Sequence, residues 1–264
     1  MSDDPLPDHL RQMPARLNEL QGRIVQVMQT MVTQPDAAYA SFHELDQAIT
    51  ELERQHSNSS MYFTLQSAIY ASVSETKQQY QLLSDEISRN LAQMHIWVLM
   101  GEGQSAEFLG RLDEAQQSAA AGAELCGTRA DLVMERTQFL FQLAGISYRK
   151  NELAAARDAA LSAHDAALSG ALWVSAAQAL IIAALCALLL DDRESFTRCC
   201  ADAAQLGAAH GGDPQMRQLI ATFQGFQISA RSALDKTGSS EAERKQLAES
   251  TMRSVMEQIK QQAQ

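Results

Sequence analysis

A pattern of small residues at helical spacing, met three times about forty residues apart, constrains this chain more than anything else in it. Leu112, Ala115 and Ala119 recur as Leu153, Ala156 and Ala160, and again as Phe196, Cys199 and Ala203. Twelve residues ahead of each middle member stands another small residue: Gly103, Ala144 or Ala187. Side chains that small let two antiparallel helices approach closely. A period of this length marks helix pairs stacked in a row, each pair burying its apolar face only against its neighbours.

Composition supports the same class. Of 264 residues, 46% are hydrophobic, too many for a disordered chain and enough for a substantial core. Proline (5) and glycine (13) are scarce, while the good helix formers Ala, Leu, Gln and Met stand out. An all-α fold follows. The formal net charge of −11, with no local cluster of Lys and Arg, repels phosphate backbones and speaks against nucleic acid as a partner. Cys126, Cys186, Cys199 and Cys200 show no zinc-type spacing and sit mostly among alanines, where a thiol serves as a small buried hydrophobe. The acidic start Met1-Ser2-Asp3-Asp4-Pro5 lacks the basic-then-apolar layout of a signal peptide, which gives a cytoplasmic expectation.

Along the chain, residues 1–14, with three prolines and three aspartates, read as a flexible lead. Residues 15–100 read as an irregular N-terminal helical bundle. Leu17, Leu20, Ile24, Val27, Met28 and Met31 define a helix over 15–33, stopped at Gln34-Pro35-Asp36. Phe42, Leu45, Ile49 and Leu52 define a second, ending near His56, and Ser57-Asn58-Ser59-Ser60 reads as a loop. Two helices are expected over 61–100, with Ser84-Asp85 as the N-cap of the later one and Gly101-Glu102-Gly103 as its end. Residues 101–234 form the repeat region, with helices predicted at 108–125, 130–149, 152–168, 172–190, 194–209 and 215–234. In His210-Gly211-Gly212-Asp213-Pro214 the residues suit a helix stop followed by a capped restart. A polar helix over 241–262 would close the array, about ten or eleven helices in all.

The second and third pairs resemble degenerate tetratricopeptide repeats. Leu140, Leu143 and Ala144 lead into Leu153, Ala156, Ala160 and Ala163, and Ala183, Cys186 and Ala187 lead into Phe196, Cys199, Ala203 and Leu206. The resemblance spans roughly residues 91 to 210. The period of 41 to 43 exceeds the family's usual value of about 34, so the helices are longer. The aromatic usual at the end of the first helix falls on Ser147, beside Tyr148, and the closing proline is missing. The resemblance implies a right-handed solenoid whose first helices build a concave groove for a peptide or another protein. Arg136, Gln142 and Tyr148 are the candidate groove residues by helix position. The function so implied is that of a protein-binding scaffold or adaptor. Secretion-system chaperones and peptide-sensing regulators have similar layouts, although no clear helix-turn-helix precedes these repeats.

Residues 171–190 carry no charge, long enough to cross a bilayer, so a single-span membrane protein is the alternative reading. Against it, many of these residues are alanine, Ser175 and Gln178 interrupt them, and the exit is Asp191-Asp192 rather than a basic anchor. The stretch also fills the first-helix slot of the third pair, where a helix covered on several sides is apolar all round. His9, His43, His56, His95, His164 and His210 show no ligand spacing and are assigned to surface or cap roles. No nucleophile, base, metal or cofactor constellation emerges, so an enzyme is not expected. A protein or peptide partner is expected, with a second copy of the chain as a further candidate.

Overall fold

The computed structural model describes residues 8–69, 74–127 and 129–235, together with 242, 245, 246 and 250. All regular structure among them is helical. The chain divides into two units, Met1–Ser118 and Ala119–Gln264.

The first unit is built from α1 (Asp8–Thr30), α2 (Pro35–Ile69), α3 (Ser74–Phe108) and the opening turns of α4 (Leu112–Cys126). Its core residues step alternately by three and four. They are Met13, Leu17, Leu20 and Ile24 on α1; Ala38, Phe42, Leu45, Ile49 and Leu52 on α2; and Ile87, Leu91, Met94 and Val98 on α3. That heptad spacing keeps one seam of each helix facing its partners, as in a coiled coil.

The seam explains where the sequence reading missed the breaks. Ser57–Ser60 is helical, because α2 runs on through it to Ile69. Ser84 is not a cap but a buried seam residue inside α3. Gly101 and Gly103 lie within α3 as well, which ends only at Phe108. Gly101 is there for clearance: a Cβ added to it would lie 2.3 Å from Cζ of the fully buried Phe42 ring. Tertiary packing overrides the local turn preference at all three places. Helix α1 likewise begins at Asp8, carries Pro14 inside it and buries Met13. Residues 1–7 of the expected lead lie outside the described residues. So does the expected capping helix 241–262, apart from positions 242, 245, 246 and 250.

The second unit contains the rest of α4, a short 3-10 turn (Ala130–Leu132), α5 (Val133–Arg149), α6 (Leu153–Ser169), α7 (Trp173–Leu189), α8 (Arg193–His210) and α9 (Pro214–Asp235). Successive helices from α5 to α9 pack as neighbours, and α7 also touches α5 and α9. The small residues of the sequence pattern sit at these contacts, with Ala156, Ala160, Ala163, Ala183, Ala187 and Ala203 all fully buried. Helix α7 is enclosed: every residue from Ala176 to Leu188 is buried. It has 17 residues, and no helix among the described residues is long and apolar enough to cross a membrane.

One connection recurs. Asn151, Ala171 and Asp191 have φ of 61°, 55° and 57°, and Gly110 has 72°. In each case the left-handed residue donates three back (Asn151 N to Tyr148 O at 3.0 Å) and the next residue donates five back (Glu152 N to Ser147 O at 2.8 Å). This is the Schellman closure of a helix end. The same second residue then offers its carbonyl to the first turn of the next helix, as Glu152 O does to Ala156 N at 2.9 Å. At the third of these turns Asp192 adds a side-chain cap, accepting from Ser195 N at 3.0 Å. Asp213 caps α9 in the same way, accepting from Gln215 N at 2.7 Å.

Substitutions at Gly101, Phe42 and Ala171 test these points. Gly101→Ala should lower stability by about 1–2 kcal/mol in urea titrations, although alanine favours helices, because the Phe42 ring must retreat inside a packed seam. Adding Phe42→Leu should recover part of that loss, and strict additivity would refute the proposed clash. Ala171→Gly should raise stability by about 0.5–1 kcal/mol, since glycine removes the Cβ penalty of the left-handed turn.

Candidate functional site

The seam of α2 and α3 has two flanks. One is bordered by Ala48 of α2 and by Leu83 and Trp97 of α3, all packed against the core. Helix α1 sits on that side, where Arg16 donates to Gln55 Oε1 at 3.3 Å. The other flank is a row of polar side chains at sevenfold spacing: Tyr39, Asp46, Glu53 and Ser60 on α2, and Ser88, His95 and Glu102 on α3. Each follows a seam position, so the two rows face one another across the antiparallel pair.

At one end the start of α4 covers this row. Buried Glu102 takes a hydrogen bond from Ser118 Oγ at 3.1 Å and pairs with His43 Nδ1 at 3.1 Å. Arg111 reaches Asp36 at 3.3 Å and stacks 5.1 Å from the Tyr39 ring. Burial and a hydrogen bond to Glu114 push the Tyr39 phenol up to about 12. It remains protonated as a donor.

His95 occupies the middle. Its Nε2 lies 2.8 Å from Asp46 Oδ1 and its Nδ1 3.3 Å from the Glu53 carboxylate. A neutral ring would turn a lone pair toward one of those carboxylates, so the geometry calls for the imidazolium. Burial opposes that charge, but the hydrogen bonds to Asp46 and Glu53 and their negative charges outweigh it, raising the pKa to about 9.

Beyond His95 the flank opens into a groove of about 530 Å³, walled by Glu53, Ser57, Ser60 and Met61 of α2 and by Ser88 and Leu91 of α3. His56 lines it too and is only 4% exposed. Its Nε2 lies 3.1 Å from the Ser84 carbonyl, which can only accept, so Nε2 carries the proton. Ser88 Oγ and Ser84 Oγ are each 3.2 Å from the same nitrogen. In the neutral ring the buried Nδ1 is then an acceptor, and it has no hydrogen-bond partner among the described residues.

The sequence reading missed this site, having assigned His56 and His95 to surface or cap roles. The signal was nevertheless present. His56 continues the seam four residues after Leu52, and Asp46 and Glu53 stand seven apart. The groove residues named from sequence do not converge. Arg136, Gln142 and Tyr148 all lie half-buried on α5. Each sixth residue is turned by about 240°, so the three point to sides about 120° apart. Gln142 joins the outward stripe of Met134, Gln138 and Arg149, and Tyr148 packs against the core beside it. Enclosed α7 presents none of the residues 176–188 to an open groove.

His164, His210 and the four cysteines belong to the second unit. His164 Nδ1 donates to the Ala176 carbonyl at 3.1 Å, and His210 stacks on Trp173 at 4.2 Å. All four cysteines are buried and unbridged, and burial pushes the Cys126 thiol to about 11 and the Cys186 thiol to about 12. Among the described residues no group of His, Cys, Asp and Glu is arranged to hold a metal ion.

The His95 clamp predicts a pH window. Its folded pKa lies above the unfolded value of about 6.5, so its stabilisation is complete below that pH and is lost as pH rises through about 9. His95→Gln should cost on the order of 2 kcal/mol at pH 6.5 and nearly nothing at pH 10. An equal cost at both pH values would show that the ring acts by packing alone.

Comparison with protein-family models, curated proteins and solved structures returned no match.

Proposed function

We propose that this chain is a protein-binding scaffold of the cytoplasm. In this reading the second unit is a right-handed, tetratricopeptide-like solenoid, and the partner docks on the open flank of the α2–α3 pair in the first. The observation that carries the proposal is the groove: one flank of a coiled-coil seam is closed by α1, while part of the other stands open. It exposes a carboxylate, hydroxyls and the apolar side chain of Met61 (62% exposed) side by side. That mixture suits a protein surface better than a compact small molecule, since the groove is open to one side and lined from two neighbouring helices. The recurrent helix connections support the solenoid, because one backbone solution joins α5, α6, α7 and α8 in turn.

Site-specific photo-crosslinking in the native host tests this reading. A benzoylphenylalanine at Ser57, in the groove, should give one dominant adduct with another protein. The same group at Gln138, on the outward stripe of α5, is the control for partners that use the second unit. Failure of both positions to capture any protein, with the chain recovered alone, would overturn the scaffold reading.

A further inference from the structure

We infer that the groove between Glu53 and Ser88 seats a basic amphipathic helix of a partner protein, a proposal that rests on the scaffold reading and narrows it. Three observations lead to that chemistry.

The first is continuity. The flank that opens into the groove is already occupied by a helix at its other end, where α4 lays Ser118 against Glu102 with a hydroxyl-to-carboxylate hydrogen bond of 3.1 Å. Glu102, His95 and Ser88 stand at successive sevens on α3, about 10 Å apart along the helix. The groove is therefore the next section of a track that accepts a helix.

The second is the donor balance. The Ser84 carbonyl fixes a proton of His56 on Nε2, so in the neutral ring Nδ1, which has no hydrogen-bond partner among the described residues, is an acceptor. Glu53 spends one contact on His95 and still lines the groove with a carboxylate that can accept more. The groove's lining offers hydroxyls on Ser57, Ser60 and Ser88 but holds no lysine or arginine among the described residues, so the donor it lacks is a cationic one.

The third is charge. His95 as imidazolium between Asp46 and Glu53 leaves the cluster at −1, within a chain of formal net charge −11. A lysine or arginine on an incoming helix gains a charge-assisted hydrogen bond at Glu53. Met61, 62% exposed, supplies the apolar contact for its other face. A second copy of this chain would bring the same negative surface and be repelled.

The probe is a synthetic eighteen-residue peptide with leucine on its heptad seam and lysine on the flanking positions, beside a twin with glutamate for every lysine. Fluorescence anisotropy with the full chain should show the lysine peptide binding at least about tenfold more tightly than its twin. Glu53→Gln should weaken it by roughly fivefold, and Ser57→Tyr should abolish binding while Gln138→Tyr leaves it unchanged. A cation arriving at Glu53 should also lower the titration midpoint of His95, read from its ring nitrogens by NMR. Equal affinity for the twins, indifference to Ser57→Tyr, or no binding of either peptide would overturn the inference. A dimer of the chain that Ser57→Tyr dissolves would overturn it too, in favour of self-association. A partner crosslinked at Gln138 but not at Ser57 would sink this inference and leave the scaffold reading standing.

Discussion

Close approach of helix backbones is the constraint on which the second unit depends. Ala156, Ala160 and Ala163 of α6 and Ala177, Ala183 and Ala184 of α7 are buried in one core, where side chains this small let neighbouring helix backbones come close. Dispersion and apolar burial are gained over the whole length of the contact rather than at a few large side chains. The larger groups fill what remains, with Phe196, Phe223 and Phe226 meeting in edge-on and stacked pairs at 6.2 and 5.7 Å. A helix enclosed in this way can carry no charge, which is why α7 has the composition of a membrane span without the length of one.

The first unit solves the same burial problem differently. Long helices meet along a seam of large residues, and room is made at one glycine rather than at many alanines. The difference decides what each unit leaves over. In the alanine-packed unit both sides of α7 are used up in packing. A two-helix seam has two flanks, and here they are chemically unlike: Leu83 and Trp97 border the one under α1, while Asp46, Glu53, His95 and Glu102 border the other. Covering the polar flank requires donors, and Ser118 supplies one only at the Glu102 end.

The sequence was legible where identity and spacing said the same thing. Small residues at fixed intervals placed α5 to α8 within three residues, because glycine- or asparagine-like turn positions and alanine faces agreed. It was misleading in α2 and α3, where Ser57–Ser60, Ser84 and Gly101 suggest turns locally yet fall in helices whose long-range packing decides their state. The site was hidden for the same reason. A histidine on a seam looks like any polar residue near a helix end until the heptad is extended through it, and the Asp46–His95–Glu53 clamp joins residues more than forty positions apart. No local motif records such a meeting. The candidate residues on α5 do not converge because they stand six apart on one helix, each turned about 120° from the next.

The left-handed residues Asn151, Ala171 and Asp191 stand at intervals of twenty, and each closes its helix with the same two hydrogen bonds. The ends of these helices are therefore interchangeable parts. A recombination that joined the chain at Asn151 to the chain after Asp191 would remove one helix pair and leave a junction with the same backbone path. A duplication between those points would add one. The length of the array is thus free to change by whole hairpins during evolution, with no new turn to invent, provided the faces of the newly adjacent helices stay small.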